Sequence, residues 1–433
     1  MLDAYLTRVI RSDNPWIGGD SVQAWYRQHL PQPYIERRAR LAPDHRACLV
    51  VGPRQAGKST LIWKHLADSE APCLYLNCEE PAVQQWLDSP ATFLADLAQL
   101  VEGPPVPLLF EEIQHLDNAG LLLKGIVDRR YPAAVFATGS AAFDLGDRVR
   151  ESLAGRAVRQ LLLPFSLAEV SAELRGPAAL VADETRQLLR RMLRFGGYPT
   201  VHMAADPERE LAILVESFIV RDASDRSKIR LPAAFRKVLE LAASQIGNLC
   251  KFSAWAEVAS VSNDTVAGYI SLMEESHVVR LVRPFVGGKR AELTATPKIY
   301  FVDNGVRNLL FGGFADPADR ADGGALVENF ALSEILKSTN PLLDTVRFWR
   351  TKAGAEVDFI VEHQGRRLAC EVKAGRTGPR LARPARSFID AYAPERFLQV
   401  GDGQHPDQQL STTRVQFIRM QDLAAEVTDF VSS

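Results

Sequence analysis

Apolar runs broken by glycine, proline and charge divide the chain into a strand-rich first third, a helical middle and a second strand-rich segment. Near the start, Ala47-Cys-Leu-Val-Val51 is wholly apolar and Leu61-Ile-Trp-Lys-His-Leu66 mixes apolar and polar residues, so the stretch reads strand, loop, helix. Cys73-Leu-Tyr-Leu-Asn-Cys78 alternates as a strand does. Val106-Pro-Leu-Leu-Phe-Glu111-Glu112 is a buried strand ending in two carboxylates, and Ala133-Ala-Val-Phe-Ala137 is a third strand. From Ser166 to about Arg230 the apolar period becomes helical, in Leu188-Leu-Arg-Arg-Met-Leu-Arg and Leu211-Ala-Ile-Leu-Val-Glu-Ser-Phe-Ile-Val, with a break at Gly196-Gly197-Tyr198-Pro199.

Next come three short helical patterns, Leu239-Glu-Leu-Ala-Ala, Trp255-Ala-Glu-Val-Ala and Thr265-Val-Ala-Gly-Tyr-Ile-Ser-Leu-Met, the last two with Ser253 and Ser262 as expected caps. A strand hairpin starting at Val278-Val-Arg-Leu-Val-Arg comes after them, and this order reads as a winged helix. Thr296-Pro-Lys-Ile-Tyr-Phe-Val-Asp303-Asn-Gly305 closes the region. Beyond it lie an amphipathic helix from Gly324 to Leu336, the strands Val346–Arg350, Glu356–Val361 and Leu368–Lys373, a further strand at Val415 and a last helix through Val427.

At 433 residues the chain exceeds one compact core, and ordinary domain sizes predict roughly two to four domains. A hydrophobic content of 46% and a charged content of 24% suit a soluble globular protein. The formal net charge of −2 gives no global field for a polyanion, so any nucleic-acid surface must be local. Cys48, Cys73, Cys78, Cys250 and Cys370 show no Cys-x-x-Cys pair or zinc spacing, and read as small buried hydrophobes in a reducing compartment. The acidic residue early in Met1-Leu-Asp-Ala-Tyr-Leu-Thr-Arg-Val-Ile-Arg argues against a signal peptide or anchor, and no apolar run approaches a membrane span. The expected location is the cytoplasm.

The loop after the first strand is Gly52-Pro53-Arg54-Gln55-Ala56-Gly57-Lys58-Ser59-Thr60, which fits GxxxxGK[ST] between a strand and a helix. Gly52 and Gly57 allow backbone conformations that turn consecutive N–H groups onto the β- and γ-phosphates of a nucleoside triphosphate. Lys58 adds a mobile charge for those phosphates, and the Ser59 hydroxyl is a Mg²⁺ ligand. ATP and Mg²⁺ are therefore the expected cofactors. Strand C-terminal ends gather the chemistry of a parallel sheet, so Glu111 is expected beside the metal and Glu112 at the attacking water. The alternative is an acidic turn leading into the next helix. Thr138-Gly139-Ser140 offers hydroxyls, Ser140 among the candidate catalytic groups, for sensing a γ-phosphate, although the tripeptide is also plain turn chemistry. Arg156, after Gly155, either reaches a phosphate in its own subunit or a neighbour's, or is a surface arginine holding a carboxylate.

These motifs, in order, resemble a prokaryotic family of predicted AAA-type ATPases that join the module to a C-terminal domain of unresolved function. The likeness rests on Gly-Pro-Arg-Gln-x-Gly-Lys-Ser-Thr, Glu-Glu-Ile-Gln, Thr-Gly-Ser, Leu-x-Gly-Arg, Leu-x-Pro-Phe-Ser, the Gly-Gly-x-Pro break and the segment ending at Asp303-Asn-Gly305. It implies that the helical middle is a lid closing over the nucleotide, with Arg221 in an arginine and aspartate cluster that is either salt-bridged surface or nucleotide-sensing. One departure is the Glu111-Glu112 pair where the family has Asp-Glu. The extra methylene at position 111 is expected to shift Mg²⁺ placement and slow hydrolysis.

In the winged-helix segment the candidate recognition helix carries Asp264, Glu274 and Glu275 and no basic residue, which makes it a poor reader of a DNA major groove. Arg280, Arg283, Lys289 and Arg290 form a modest basic edge. Near the C-terminus, Glu328 on a helix, Asp358 entering a strand, and Glu371 and Lys373 two residues apart on the next resemble the arrangement of the PD-(D/E)xK nuclease fold. In that reading Asp358 and Glu371 hold Mg²⁺, Glu328 completes the set and Lys373 positions hydroxide. Arg366, Arg367, Arg376, Arg380, Arg383 and Arg386 are expected to line a backbone track.

The expected fold class is thus α/β. It comprises an N-terminal helical arm over 1–45, a P-loop AAA-type ATPase core with a parallel sheet and helices on both faces over 46–165, and a helical lid over 166–230. A winged helix over 231–316 and a PD-(D/E)xK-like α/β domain over 317–433 complete it. The expected function is Mg²⁺-dependent ATP hydrolysis coupled to rearrangement of the nuclease-like module, with DNA as partner and a homo-oligomer allowed. The other reading is a nucleotide-dependent switch or scaffold whose inactive nuclease-like domain binds a protein partner.

Overall fold

In the computed structural model, described for residues 3–101, 103–140, 153–217, 229, 231–285 and 296–433, the chain forms two compact units, Met1–Leu163 and Pro164–Ser433. The first unit is built on β1 (Ala47–Gly52), β2 (Leu74–Asn77), β3 (Leu108–Glu111), β4 (Val135–Ser140) and β5 (Ala157–Leu161), all parallel, in the order β2-β3-β4-β1-β5. Successive side chains of a strand face opposite ways, and both faces are apolar here. Leu49, Val51, Leu108, Phe110 and Ala137 pack with Trp86, Phe93, Leu97 and Ile126 on one face. Cys48, Val50, Leu109 and Phe136 pack with Ile62, Trp63 and Leu66 on the other.

The N-terminal arm contains α1 (Ala4–Asp13) and α2 (Val22–His29), and it covers the free edge of β2; α3 (Lys58–Ser69) then leads away from β1. The side-chain amide of Asn14 mimics a strand: its Oδ1 accepts from the Tyr75 N–H at 2.7 Å and its Nδ2 donates to the Tyr75 carbonyl at 2.9 Å. Trp16 Nε1 donates to the Cys73 carbonyl on the same edge. An exposed parallel edge would otherwise invite pairing with another chain.

The second unit carries a mixed eight-stranded sheet made of β6 (Val279–Pro284), β7 (Lys298–Phe301), β8 (Asp344–Arg350), β9 (Glu356–His363), β10 (Arg366–Val372), β11 (Arg396–Val400), β12 (Gln408–Leu410) and β13 (Thr413–Ile418). Their order is β12-β13-β11-β10-β9-β8-β6-β7. The β6–β7 hairpin of the expected winged helix is therefore not separate: β6 runs parallel to β8 at Arg283 and Pro284 and joins the C-terminal sheet. Helices Pro232–Ser244, Phe252–Ala259 and Asn263–Glu275 pack with that hairpin in one core around Trp255, Ile270 and Met273. Ser262 caps the third of these helices as expected, by accepting from Thr265 N–H, but Ser253 lies inside the second, whose cap position is Lys251. The β9–β10 turn uses Gln364 and Gly365, both at positive φ, as a tight hairpin requires.

A buried polar network ties the helical middle to this sheet. Its members are α4 (Ala178–Phe195), α5 (Asn304–Leu310) and α6 (Gly323–Ser338) with their loops, while α7 (Arg383–Tyr392) covers β9. The buried Asp303 carboxylate accepts from the Gly197, Gly305 and Val306 N–H groups. A Cβ at Gly196, where φ is +75°, would collide with that carboxylate, which explains why the Gly-Gly break and the Asp-Asn-Gly segment occur together. Asn308 donates to the carbonyls of Leu193 and Arg194, and Asn329 bonds both backbone groups of Phe301. On α6, Glu334 accepts from Leu167 N–H and Lys337 donates to the Phe165 carbonyl. The Arg221, Asp222, Asp225 and Arg226 cluster, and Lys289 and Arg290, lie outside the described residues.

Candidate functional site

The phosphate loop closes β1 and opens α3. Gly57 takes the cap position at φ +91°, and Gly52 sits at φ +152° with the Leu162 carbonyl where a Cβ would stand, 2.0 Å away. No other residue fits Gly52 without moving the β5 end of the sheet. Between them, Pro53, Arg54, Gln55 and Ala56 form the loop, with Gln55 also at positive φ, and Thr60 lies in the first turn of α3. The Lys58 side chain is buried, and its ammonium donates to the carbonyls of Pro53 at 3.1 Å and Gly52 at 3.3 Å. The loop is braced from the arm by buried Arg37, which donates to the Ala56 carbonyl at 3.2 Å and the Leu163 carbonyl at 2.5 Å. Nothing in the sequence pattern singled out Arg37.

Parallel strands bring the acidic groups to the same end. The Ser59 hydroxyl donates to Glu111 Oε1, and the Tyr75 hydroxyl donates to Glu111 Oε2 at 2.5 Å. Glu112 takes a left-handed φ of 51°; its N–H donates to Thr138 Oγ1 at 3.0 Å, and its Oε2 accepts from Gln114 Nε2 at 2.5 Å. Lys58, Ser59, Glu111, Glu112 and Thr138 are thereby gathered at the C-terminal ends of β1, β3 and β4. Ser140 ends β4 opposite Gly52, and its side chain lies outside what is described. Ser59 and Glu111 supply adjacent hard oxygen donors, the small protein share that Mg²⁺ takes when phosphates complete its shell.

Arg156 does not join them. It precedes β5, its carbonyl accepts from Ala47 N–H at the start of β1, and its Nε donates to Asp128 at 2.7 Å. The six residues of β1 separate it from the loop by roughly 16 Å, which argues against reach to a phosphate in its own subunit and matches the reading of a surface arginine holding a carboxylate.

The C-terminal carboxylates do converge. Glu328 on α6, Glu356 and Asp358 on β9, and Glu371 on β10 surround two ammonium groups. Lys298 Nζ lies 3.3 Å from Glu328 Oε1 and also pairs with Glu356, while Lys373 Nζ lies 2.5 Å from Glu371 Oε1. Tyr300 hydroxyl donates to Glu328 Oε1 at 2.5 Å, and Asp358 Oδ2 accepts from Val372 N–H at 2.8 Å. Burial, then the charges of Glu328 and Glu371, pushes the Asp358 carboxyl well above the usual range. Burial also raises Glu371, against the pull of Lys373, and its Oε2 is buried with no hydrogen-bond partner. Among the described residues, no three or more His, Cys, Asp or Glu side chains stand where they could hold a metal ion. Lysines pair with Glu328, Glu356 and Glu371, while Asp358 is held by a backbone N–H and one Glu371 oxygen stays unbonded.

Lys298, Tyr300 and Glu356 were missed by motif reading. A signal existed for the first: a lone lysine entering the apolar run Ile299-Tyr-Phe-Val must find a partner if the strand is buried. Arg366 and Arg367 are corrected as well. They stand at the turn end of β10, away from Glu371, and are bound to Glu395 and Glu362. Arg376, Arg380, Arg383 and Arg386 follow β10 in the chain and are exposed, the last two on α7.

Residues 44–171 match the model of the AAA domain, residues 186–316 that of a domain of unknown function (DUF8612), and residues 323–423 that of a second domain of unknown function (DUF4143). The chain is 31% identical over 386 residues to the uncharacterized protein Rv2008c of Mycobacterium tuberculosis, covering 86% of this chain and 81% of that protein. It is 22% identical over 342 residues to the uncharacterized protein MJ1544 of Methanocaldococcus jannaschii, covering 74% and 73%. A crystal structure of the FIGL-1 AAA domain aligns at a TM-score of 0.28 and 12% identity over 63% of this chain and 96% of that one. A likeness that slight carries no argument about function.

Proposed function

Since the chain belongs to the same family as the mycobacterial protein Rv2008c and bears an AAA domain, we propose that it binds and hydrolyses Mg²⁺·ATP at the loop Gly52–Thr60. The single observation that carries this is the meeting of Ser59 with Glu111, beside a loop whose lysine and glycines are in place. The backbone N–H groups of the loop and Lys58 bind the phosphates, and Glu112 orients the attacking water with Thr138 and Gln114 holding its backbone and carboxylate. Mg²⁺, when bound, would draw charge from the phosphate oxygens; Ser59 would hold it, with Glu111 fixing Ser59. The test is nucleotide binding and turnover by the purified chain beside Lys58→Ala, which should abolish both. Retained turnover would overturn the loop assignment.

The output of the second unit has two readings. In the first, this nuclease-like module acts on DNA in the cytoplasm, supported by the convergence of Glu328, Asp358, Glu371 and Lys373 and by the exposed Arg376, Arg380, Arg383 and Arg386. In the second, the module is an ATP-driven switch that binds a protein partner. That reading is favoured by Lys298, which pairs with Glu328 and Glu356 inside the set, and by the acidic helix Asn263–Glu275. Turnover measured with and without duplex and single-stranded DNA, with cleavage followed in wild type and Asp358→Ala, separates them: cleavage lost in the variant supports the first, and indifference to DNA supports the second.

A further inference from the structure

Glutamate at position 111 poses a steric problem that the neighbouring strand answers. Its side chain has one more rotatable bond than aspartate, so the bond from Ser59 alone leaves the carboxylate free to swing. Tyr75 removes that freedom: its hydroxyl takes the oxygen Ser59 leaves, at 2.5 Å. The hydroxyl is itself held in place. Asn14 bonds both the N–H and the carbonyl of Tyr75, and the ring lies 5.3 Å from Trp63 on α3 and 6.3 Å from His29 on α2.

We propose that Tyr75 is a positioning residue for the divalent cation of the nucleotide site: by holding Glu111 Oε2, it keeps Glu111 Oε1 on Ser59 and so sets the affinity of the loop for Mg²⁺. This rests on the reading of the loop as an ATP site. Tyr75 acts through Glu111. The N-terminal arm, which pins Tyr75, is in this way connected to the cation site.

The test uses the full chain and a fluorescent ATP analogue, titrated with MgCl₂ and, separately, in EDTA. Tyr75→Phe keeps the ring packing and removes only the donor. It should leave affinity in EDTA within about twofold and raise the Mg²⁺ concentration for half-saturation about tenfold, the scale of one hydrogen bond to a charged group. In a Glu111→Asp background, whose shorter side chain forgoes the Tyr75 bond, adding Tyr75→Phe should change the Mg²⁺ midpoint by less than about twofold. Midpoints equal in wild type and Tyr75→Phe, or a full effect persisting in the Glu111→Asp background, would overturn the proposal. If the wild type bound no nucleotide, or Lys58→Ala bound it equally well, the loop reading itself would fall.

Discussion

Replacing Lys298 by methionine removes one charge from the carboxylate set and little else. The lysine is 2% exposed, and its ammonium serves Glu328 and Glu356, whose side chains are 20% and 25% exposed. Methionine keeps the stem length over the Phe348 ring, 5.4 Å from the ammonium. Breaking a buried ion pair from one side costs about 3–5 kcal/mol because the partner charge stays behind. Here Glu328 retains the Tyr300 hydroxyl, Glu356 retains Arg350 at 3.2 Å, and both keep some water, so the lower end applies, about 3 kcal/mol. In a unit this size that lowers the melting midpoint by roughly 6–12 °C. The folded-state pKa of Lys298 is raised above its ordinary 10.5, so its contribution is complete below that value and lost only as pH rises past it. Near neutral pH, therefore, the difference between variant and wild type should not depend on the lysine's own titration. The assay is urea unfolding followed by hydrogen exchange in peptides spanning β9 and β10, which confines the readout to the second unit. Adding Glu356→Gln to Lys298→Met should recover more than about 1 kcal/mol. A loss below about 1 kcal/mol, or no recovery in the double variant, would refute the argument that these charges depend on one another.

Three further outcomes are expected from the same geometry. Glu112→Gln should bind ATP with near wild-type affinity and hydrolyse it at least about a hundredfold more slowly, as a trapped-nucleotide assay would record; unchanged turnover would remove Glu112 from the water-positioning role. Gly52→Ala should abolish nucleotide binding in an equilibrium titration, because the new methyl meets the Leu162 carbonyl at 2.0 Å and the positive φ is strained. Asp322 is held down to about 2 from 3.8 by Arg320 and Arg307 against partial burial. A depressed carboxylate stabilises the fold above its unfolded value and stops doing so as pH falls from about 3.8 to about 2, here by about 1–2 kcal/mol after allowance for its 28% exposure. Acid unfolding of Asp322→Asn should lack that increment.

Four strands of the parallel first sheet were legible as apolar runs or an alternation, three of them ending in candidate site residues, and parallel pairing delivers those ends to one edge; β5, with the mixed sequence Ala-Val-Arg-Gln-Leu, was not. The loop, Glu111 and Glu112 were legible for the same reason. For Arg156 both readings stayed open, because a one-dimensional motif does not say which end of a strand it flanks; its bond to Asp128 matches the carboxylate-holding one. Arg366 and Arg367 failed in the same way, being close to Glu371 in sequence yet at the far end of its strand. Lys298, Tyr300, Tyr75 and Arg37 act through partners remote in sequence, such as Glu328 and Glu111, and no local spacing records those pairings. The hairpin of the expected winged helix matched its local pattern, but its junction with β8 depends on two residue pairs that hydrophobic periodicity cannot specify.

The central claim is that the loop and the acidic strand form one Mg²⁺·ATP site. Its most direct test is the stoichiometry and Mg²⁺ dependence of ATP binding and hydrolysis by the purified chain, run beside Lys58→Ala. One nucleotide per chain, bound more tightly with Mg²⁺, slowly hydrolysed, and lost in the variant, is the predicted result. Binding that ignores Mg²⁺, or survives the loss of Lys58, would contradict it.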